Sequence, residues 1–175
     1  MKKMFFITLA VTCLLTVNCS GQQSDAKSDV LTVEEISQMS SEQYSDAICD
    51  IYVKAMTNLG DILTKYPKAN DAMKTEVDTL YERTVQELLP FGKASQSFSA
   101  EKKKAYDTAL LQAIFGTFDG LQLTMDAINI RMDDLNDFDQ TLWDKVSDMN
   151  IITQYADFDL IKQQDPAEAA RLGIR

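Results

Sequence analysis

Seven residues, Asp133-Asp134-Leu135-Asn136-Asp137-Phe138-Asp139, hold the densest cluster of chemistry-bearing side chains in this chain. Their oxygens suit a hard cation such as calcium, which takes carboxylate and amide oxygens in a flexible shell. The spacing fails the EF-hand test, however. Counted from Asp134, position six is Asp139 rather than glycine, and position twelve is Lys145 rather than glutamate. The cluster of Asp133, Asp134, Asn136, Asp137 and Asp139 is therefore expected to be at most a patch for weak cation binding or for a basic partner. A solvated acidic face is its plainer reading. It belongs to a wider acidic region: between Asp107 and Glu168 thirteen acids stand against only Arg131, Lys145 and Lys162. Within it, Asp119, Asp126 and Asp133 recur every seven residues along one ridge.

The rest of the chemical inventory is defined by what is missing. The chain has no histidine. That removes Ser-His-Asp and Cys-His nucleophile systems, His-based general bases and His-containing zinc sites. No GxSxG, GxxxxGK[ST], HExxH or CxxC pattern occurs. Two carboxylates could still share acid/base work, but with 27 acids some must lie close by chance, and no catalytic pair stands out. No catalytic residue, metal ligand or cofactor is expected. Tyr44, Tyr52, Tyr66, Phe115, Phe118 and Trp143 could line a ligand cleft, although aromatics at helical spacing more often fill a core.

The three cysteines are Cys13, Cys19 and Cys49. Met1-Lys2-Lys3 is positive, and Met4 to Val17 is apolar apart from Thr8, Thr12 and Thr16. That run is shorter than the ~20 apolar residues a membrane span needs, and it reads as an export signal. Leu15-Thr16-Val17-Asn18-Cys19 resembles, in relaxed form, the lipobox of bacterial lipoproteins. Thr16 and Asn18 depart from the usual pattern of Leu, a small or β-branched residue, Gly or Ala, then Cys. The resemblance implies a signal peptide over residues 1–18, cleaved before Cys19, whose thiol carries diacylglycerol. Acyl chains such as palmitate would then hold the protein at a membrane, each buried methylene contributing roughly 0.8 kcal/mol. Ser20 at the following position implies no inner-membrane retention, which favours the outer membrane. With Cys13 removed and Cys19 acylated, Cys49 has no partner for an intramolecular disulfide and is expected to pack as a small apolar residue.

Cleavage would leave 157 residues, one domain with room for a real core. The signal takes two lysines and no acids with it, so the formal charge moves from −10 to −12. Such a body repels nucleic acid, whose binding needs a basic face. It repels an anionic bilayer as well, which leaves the lipid as its attachment and favours a basic or cationic envelope partner.

Which elements would position these groups? Residues 19–31 read as a tether, since Ser20 to Val30 has no apolar periodicity. As coil, those residues span near 20 Å. Thr32 and Glu35 match a capping box opening a short helix to about Gln38. Ser41 is the next candidate cap, before a stripe of Tyr44, Ile48, Ile51, Ala55, Leu59, Ile62 and Tyr66 that Pro67 ends. Asn70 caps a helix with Met73, Val77, Leu80, Leu88 and Phe91 on its stripe. That helix is expected to end near Pro90 and Gly92, leaving Phe91 to Phe98 as a loop. Ser99 opens the longest pattern: Leu110, Ile114, Phe118, Leu121, Met125, Ile128, Met132 and Leu135 suggest a helix of some 35 residues, about 50 Å. On its opposite side Ala109, Ala113, Gly116, Gly120 and Ala127 form a row of small residues. This row predicts either close packing of a further helix or a kink at the glycines, and a second copy of the chain could meet it. Leu142, Trp143, Val146, Ile151 and Tyr155 support a fourth helix. Asp157 to Asp165 is expected to be irregular, and Pro166 to open a last short helix.

The expected body, residues 32–175, is an all-α, antiparallel four-helix-like bundle with short flanking helices. The expected role is noncatalytic: binding, envelope structure or interaction with another protein. Two rivals remain open. One is an envelope hydrolase using carboxylates, marked by a pocket with two close carboxylates of divergent pKa. The other is a periplasmic inhibitor or immunity-type protein, marked by a projecting loop such as Phe91 to Phe98.

Overall fold

The computed structural model describes residues 31–174. The expected signal peptide, Cys19 and nearly all of the expected tether lie outside the described residues. Among the described residues eight α-helices follow one another: α1 (Val33–Ser37), α2 (Ser41–Lys65), α3 (Asp71–Ser95), α4 (Ala100–Thr117), α5 (Gln122–Phe138), α6 (Gln140–Asp148), α7 (Phe158–Gln164) and α8 (Pro166–Arg171). A 3-10 turn, Phe118–Leu121, joins α4 to α5, and a 3-10 segment, Met149–Ala156, follows α6. No strand occurs among the described residues.

Local chemistry sets most helix starts. Thr32 accepts the Glu35 amide while the Glu35 carboxylate accepts the Thr32 amide, so the capping box closes. Asn70 accepts from the Met73 amide and Ser99 from the Lys102 amide. The cap of α2 is Ser40, not Ser41, because Gln43 lies three residues on and returns the bond to the Ser40 amide. Tyr66, ahead of Pro67, is extended and ends α2.

α2 and α3 run antiparallel, as the pairing of Tyr44 with Phe91 and of Lys65 with Glu76 requires. α4 and α5 lie along α2, and α6 with its 3-10 segment lies along α3. The two broken rods supply the third and fourth members of the bundle. α2 is central, touched on two sides, so its buried face is broader than one stripe. Cys49, Tyr52, Met56 and Leu63 are buried in addition to Tyr44, Ile48, Ala55 and Leu59, while Ile51 and Ile62 are only half-covered. The Tyr44 hydroxyl lies 2.9 Å from the carbonyl oxygens of both Phe91 and Ala156 and ties α3 to the 3-10 segment. Its ring meets Phe91, Phe98 and Tyr106 edge-on.

Several expectations are corrected. α3 does not stop at Pro90 but continues to Ser95. A proline inside a helix costs about 3 kcal/mol. Burial of Phe91, Ala94 and Ser95 beyond it opposes that cost, since a buried Phe alone contributes roughly 1.5–3 kcal/mol. The expected loop from Phe91 shrinks to the few residues before Ser99, and no projecting loop exists there. The long third helix is broken at Phe118–Leu121. Asp157 to Asp165 is not irregular: Asp157 accepts the Asp159 and Leu160 amides and caps α7.

A candidate interaction surface on the broken helix

The break between α4 and α5 has a geometric origin. Ser45 donates to the Tyr106 carbonyl across a sequence separation of 61. Thr124 donates to the Met56 carbonyl, and Arg131 to the Leu63 carbonyl, both across 68. Both chains advance in the same direction, so α4 and α5 run parallel to α2. Yet they spend seven more residues than α2 between the first two anchor points. At 1.5 Å per residue the surplus is about 10 Å of helix that cannot lie flat on α2. The chain therefore bows outward after Tyr106 and returns at Leu121, with the 3-10 turn taking the bend. Tyr106 is the only residue of α4 that is buried.

Most of the exposed large apolar side chains lie on this broken rod, Leu111 and Phe115 on the bow and Leu123 and Ile130 beyond it on the outer face of α5. Leu111, Phe115, Leu123 and Ile130 are 57, 66, 83 and 79% exposed. Phe118, which the sequence pattern assigns to the core, is exposed and meets Phe115 edge-on at 5.5 Å. Met132 is exposed as well. The stripe otherwise continues across the 3-10 turn: Leu110, Ile114 and Met125 pack against the core, and Leu121, Ile128 and Leu135 are buried in it. Asp119, Asp126, Asp133 and Asp137 lie on the same outward side as Leu123 and Ile130, and all four are exposed.

Gly116 and Gly120 have nothing within 4 Å of where a side chain would begin. Gly116 and Gly120 seat no other described helix, so of the close packing and the kink expected at these glycines the break is the one found, while Ala127 of the same row is buried in the core. Close approach happens at other glycines. A Cβ on Gly60 would lie 2.6 Å from the Thr124 hydroxyl, where α5 crosses α2. A Cβ on Gly92 would lie 2.5 Å from the Tyr155 carbonyl oxygen and closer than 3.0 Å to two ring carbons of Phe158.

The acidic cluster divides into separate duties. Arg131, mostly buried, reaches the carbonyls of Leu63 and Tyr66 and so satisfies the end of α2. It is fixed by Asp134, which also accepts the Ala69 amide at 2.8 Å. Burial pushes the Asp134 pKa up, but the Ala69 amide and Arg131 outweigh it and hold the carboxyl below the usual range. Asp139 caps α6 and pairs with Lys74, which together with Thr141 hold it well below that range. Asp133, Asn136 and Asp137 face solvent. Among the described residues no group of three or more acids, cysteines or histidines is arranged to hold a metal ion. Of the six aromatics expected as possible cleft lining, Tyr44 and Tyr52 are core, Tyr66 and Trp143 are half-buried, and Phe115 and Phe118 face out. Cys49 is buried, and burial, then Asp50 and Asp46, raises its thiol pKa.

One open cleft of about 510 Å³ lies between α3, the 3-10 segment and α8. At its floor the Tyr81 and Tyr155 hydroxyls are 2.8 Å apart, and Tyr155 donates to Glu168 at 3.0 Å. Arg171 holds Glu168 below the usual carboxylate range, whereas burial, then Asp144 and Asp165, pushes Asp148 above it. The tyrosine pair was not anticipated, because Tyr81 and Tyr155 sit on different helical stripes far apart in sequence. Leu111, Leu123 and Ile130 were missed as well. Their signal was present, since each lies roughly 100° or more from its helix's core stripe.

No protein-family model, curated protein or solved structure matches this chain. The surface must be understood from its own chemistry.

Proposed function

We propose that this is a lipid-anchored protein of the bacterial cell envelope with a noncatalytic role, holding another envelope protein near the membrane. The lipid on Cys19 is its only membrane attachment, and the outer membrane is its address. No described helix is long and apolar enough to cross a membrane, which accords with an anchor supplied by lipid. The observation that carries the binding role is the bowed strip of α4 and α5. Soluble domains scatter exposed apolar residues singly, whereas a concentration on one element marks a contact surface. A Cys19→Ser variant should leave the membrane fraction. A photo-crosslinking residue at Phe115, but not at exposed Thr57 of α2, should capture a partner in intact cells. Unchanged fractionation would remove the anchor, and equal capture at both positions would remove the surface.

The second reading, an envelope hydrolase using carboxylates, draws support from the divergent Asp148 and Glu168 beside the tyrosine pair. Hydrolysis of chromogenic ester or glycoside substrates that disappears in both Asp148→Asn and Glu168→Gln would favour it. No turnover, or turnover unchanged in the variants, would leave it without support.

A further inference from the structure

The bowed strip combines two features that constrain its occupant. Leu111 and Phe115 lie four apart on α4 and Leu123 and Ile130 seven apart on α5, so each pair lies on one line of its helix, and Phe118 of the 3-10 turn packs edge-on against Phe115. The apolar lines are bordered by exposed Asp119, Asp126, Asp133 and Asp137, none of which has a cationic partner among the described ion pairs. From Asp107 to Phe138 the one cation is Arg131, and it is consumed by Asp134 and the end of α2.

From this we propose that the strip receives a cationic amphipathic helix of another protein. The apolar side of that helix covers Leu111, Phe115, Leu123 and Ile130, and its lysines or arginines reach the four aspartates. This rests on the reading of the strip as a contact surface and adds the chemistry of what docks there. The charge pattern decides against the other occupants. A second copy would bring the same aspartates onto these ones, and like charges brought together without water cost several kcal/mol. An anionic bilayer surface would be repelled for the same reason. A neutral apolar peptide would leave the carboxylates partly desolvated and unpaired. A basic amphipathic helix satisfies both parts of the strip, its apolar face covering the apolar lines and its cations meeting the carboxylates.

The test uses the full lipidated chain in neutral detergent and a synthetic amphipathic helix of leucine and lysine as probe. Its comparators are a peptide of the same composition in scrambled order and a leucine–glutamate helix. Fluorescence anisotropy should show binding of the leucine–lysine helix alone, weakening steeply with salt. Joint replacement Leu111→Ser, Phe115→Ser, Leu123→Ser should weaken it by about tenfold or more. These side chains are exposed, so unchanged helical circular dichroism accompanies the loss. Asp119→Asn, Asp126→Asn, Asp133→Asn together should flatten the salt dependence, whereas Asp46→Asn, Asp50→Asn on α2 should not. Equal binding of the scrambled peptide, or strip variants that bind as the parent does, would overturn the proposal. So would self-association through the strip in sedimentation, or binding to anionic vesicles that the serine variants abolish. If crosslinking at Phe115 captures a partner in cells while the cationic helix fails to bind, the occupant is wrong and the contact surface stands. If both fail, the surface itself falls.

Discussion

Replacing Gly92 with alanine and replacing Gly116 with alanine should change stability in opposite directions. Both residues are helical, and alanine in a helix is favoured over glycine by roughly 0.8–1 kcal/mol. At Gly116 nothing lies within 4 Å of the new methyl, so up to about 1 kcal/mol is gained. At Gly92 the methyl would lie 2.5 Å from the Tyr155 carbonyl oxygen and closer than 3.0 Å to two Phe158 ring carbons. Comfortable carbon–carbon separations are about 3.5–4.0 Å. The obstacles are a packed ring and a backbone carbonyl, neither the loose end of a flexible side chain. Overpacking of this kind costs about 1–3 kcal/mol, and this site belongs at the upper end. Subtracting the helix gain leaves Gly92→Ala destabilised by about 1–2 kcal/mol. In a domain of this size that is a fall of about 2–8 °C in Tm, against a rise of up to about 4 °C for Gly116→Ala. Thermal and urea unfolding followed by circular dichroism measure both. Adding Phe158→Leu to Gly92→Ala should recover part of the loss, because leucine ends at Cδ and the obstructing Cε1 of the ring is gone. A Gly92→Ala protein as stable as the parent would refute the close-packing account of the α3 contact. Two shifts of the same sign would refute the contrast between the glycines.

Further outcomes follow from buried polar groups. Tyr44→Phe leaves the Phe91 and Ala156 carbonyls without their shared donor and should cost about 1–2 kcal/mol in urea unfolding. Glu168 has a depressed pKa in the folded protein, so its contribution is present above the unfolded carboxylate pKa and lost as pH falls through the folded value. Glu168→Gln should therefore lower Tm near neutrality, with the difference fading in acid. Asp148 has a raised pKa, so its ionisation opposes folding above that value. Asp148→Asn should raise Tm near neutrality, with the gain shrinking as pH falls. Cys49 should react slowly with a thiol reagent in the native protein and fast in denaturant. Equal rates would mean that its burial is wrong.

The parts of this fold that were legible in the sequence are those decided within a few residues. Thr32 with Glu35, Asn70 with Met73 and Ser99 with Lys102 are caps read from spacing alone, and Tyr66-Pro67 is a stop. The cap of α2 was misread as Ser41, although Gln43 at the third position marks Ser40. What was hidden depends on distant contacts. Pro90 looks like a terminator until Phe91, Ala94 and Ser95 are seen to be buried beyond it. The Leu110-to-Leu135 pattern looks continuous, and only the pairing with α2 reveals that the segment is too long for the surface beneath it. For the candidate surface, the acids were visible but their neighbours were not. Asp134 and Asp139 are consumed by the α2 terminus and by α6, while Leu123 and Ile130, outside the main stripe, turn out to border Asp126 and Asp133.

The seven surplus residues between the Tyr106 and Thr124 anchors are one heptad. Two helical turns return a chain to within about 20° of its starting phase. A deletion or insertion of that length in the outward arc would leave both clamps on α2 in register, so the arc is adjustable in steps while the scaffold holding it stays fixed. The length of the arc is thus separable from the packing of the core.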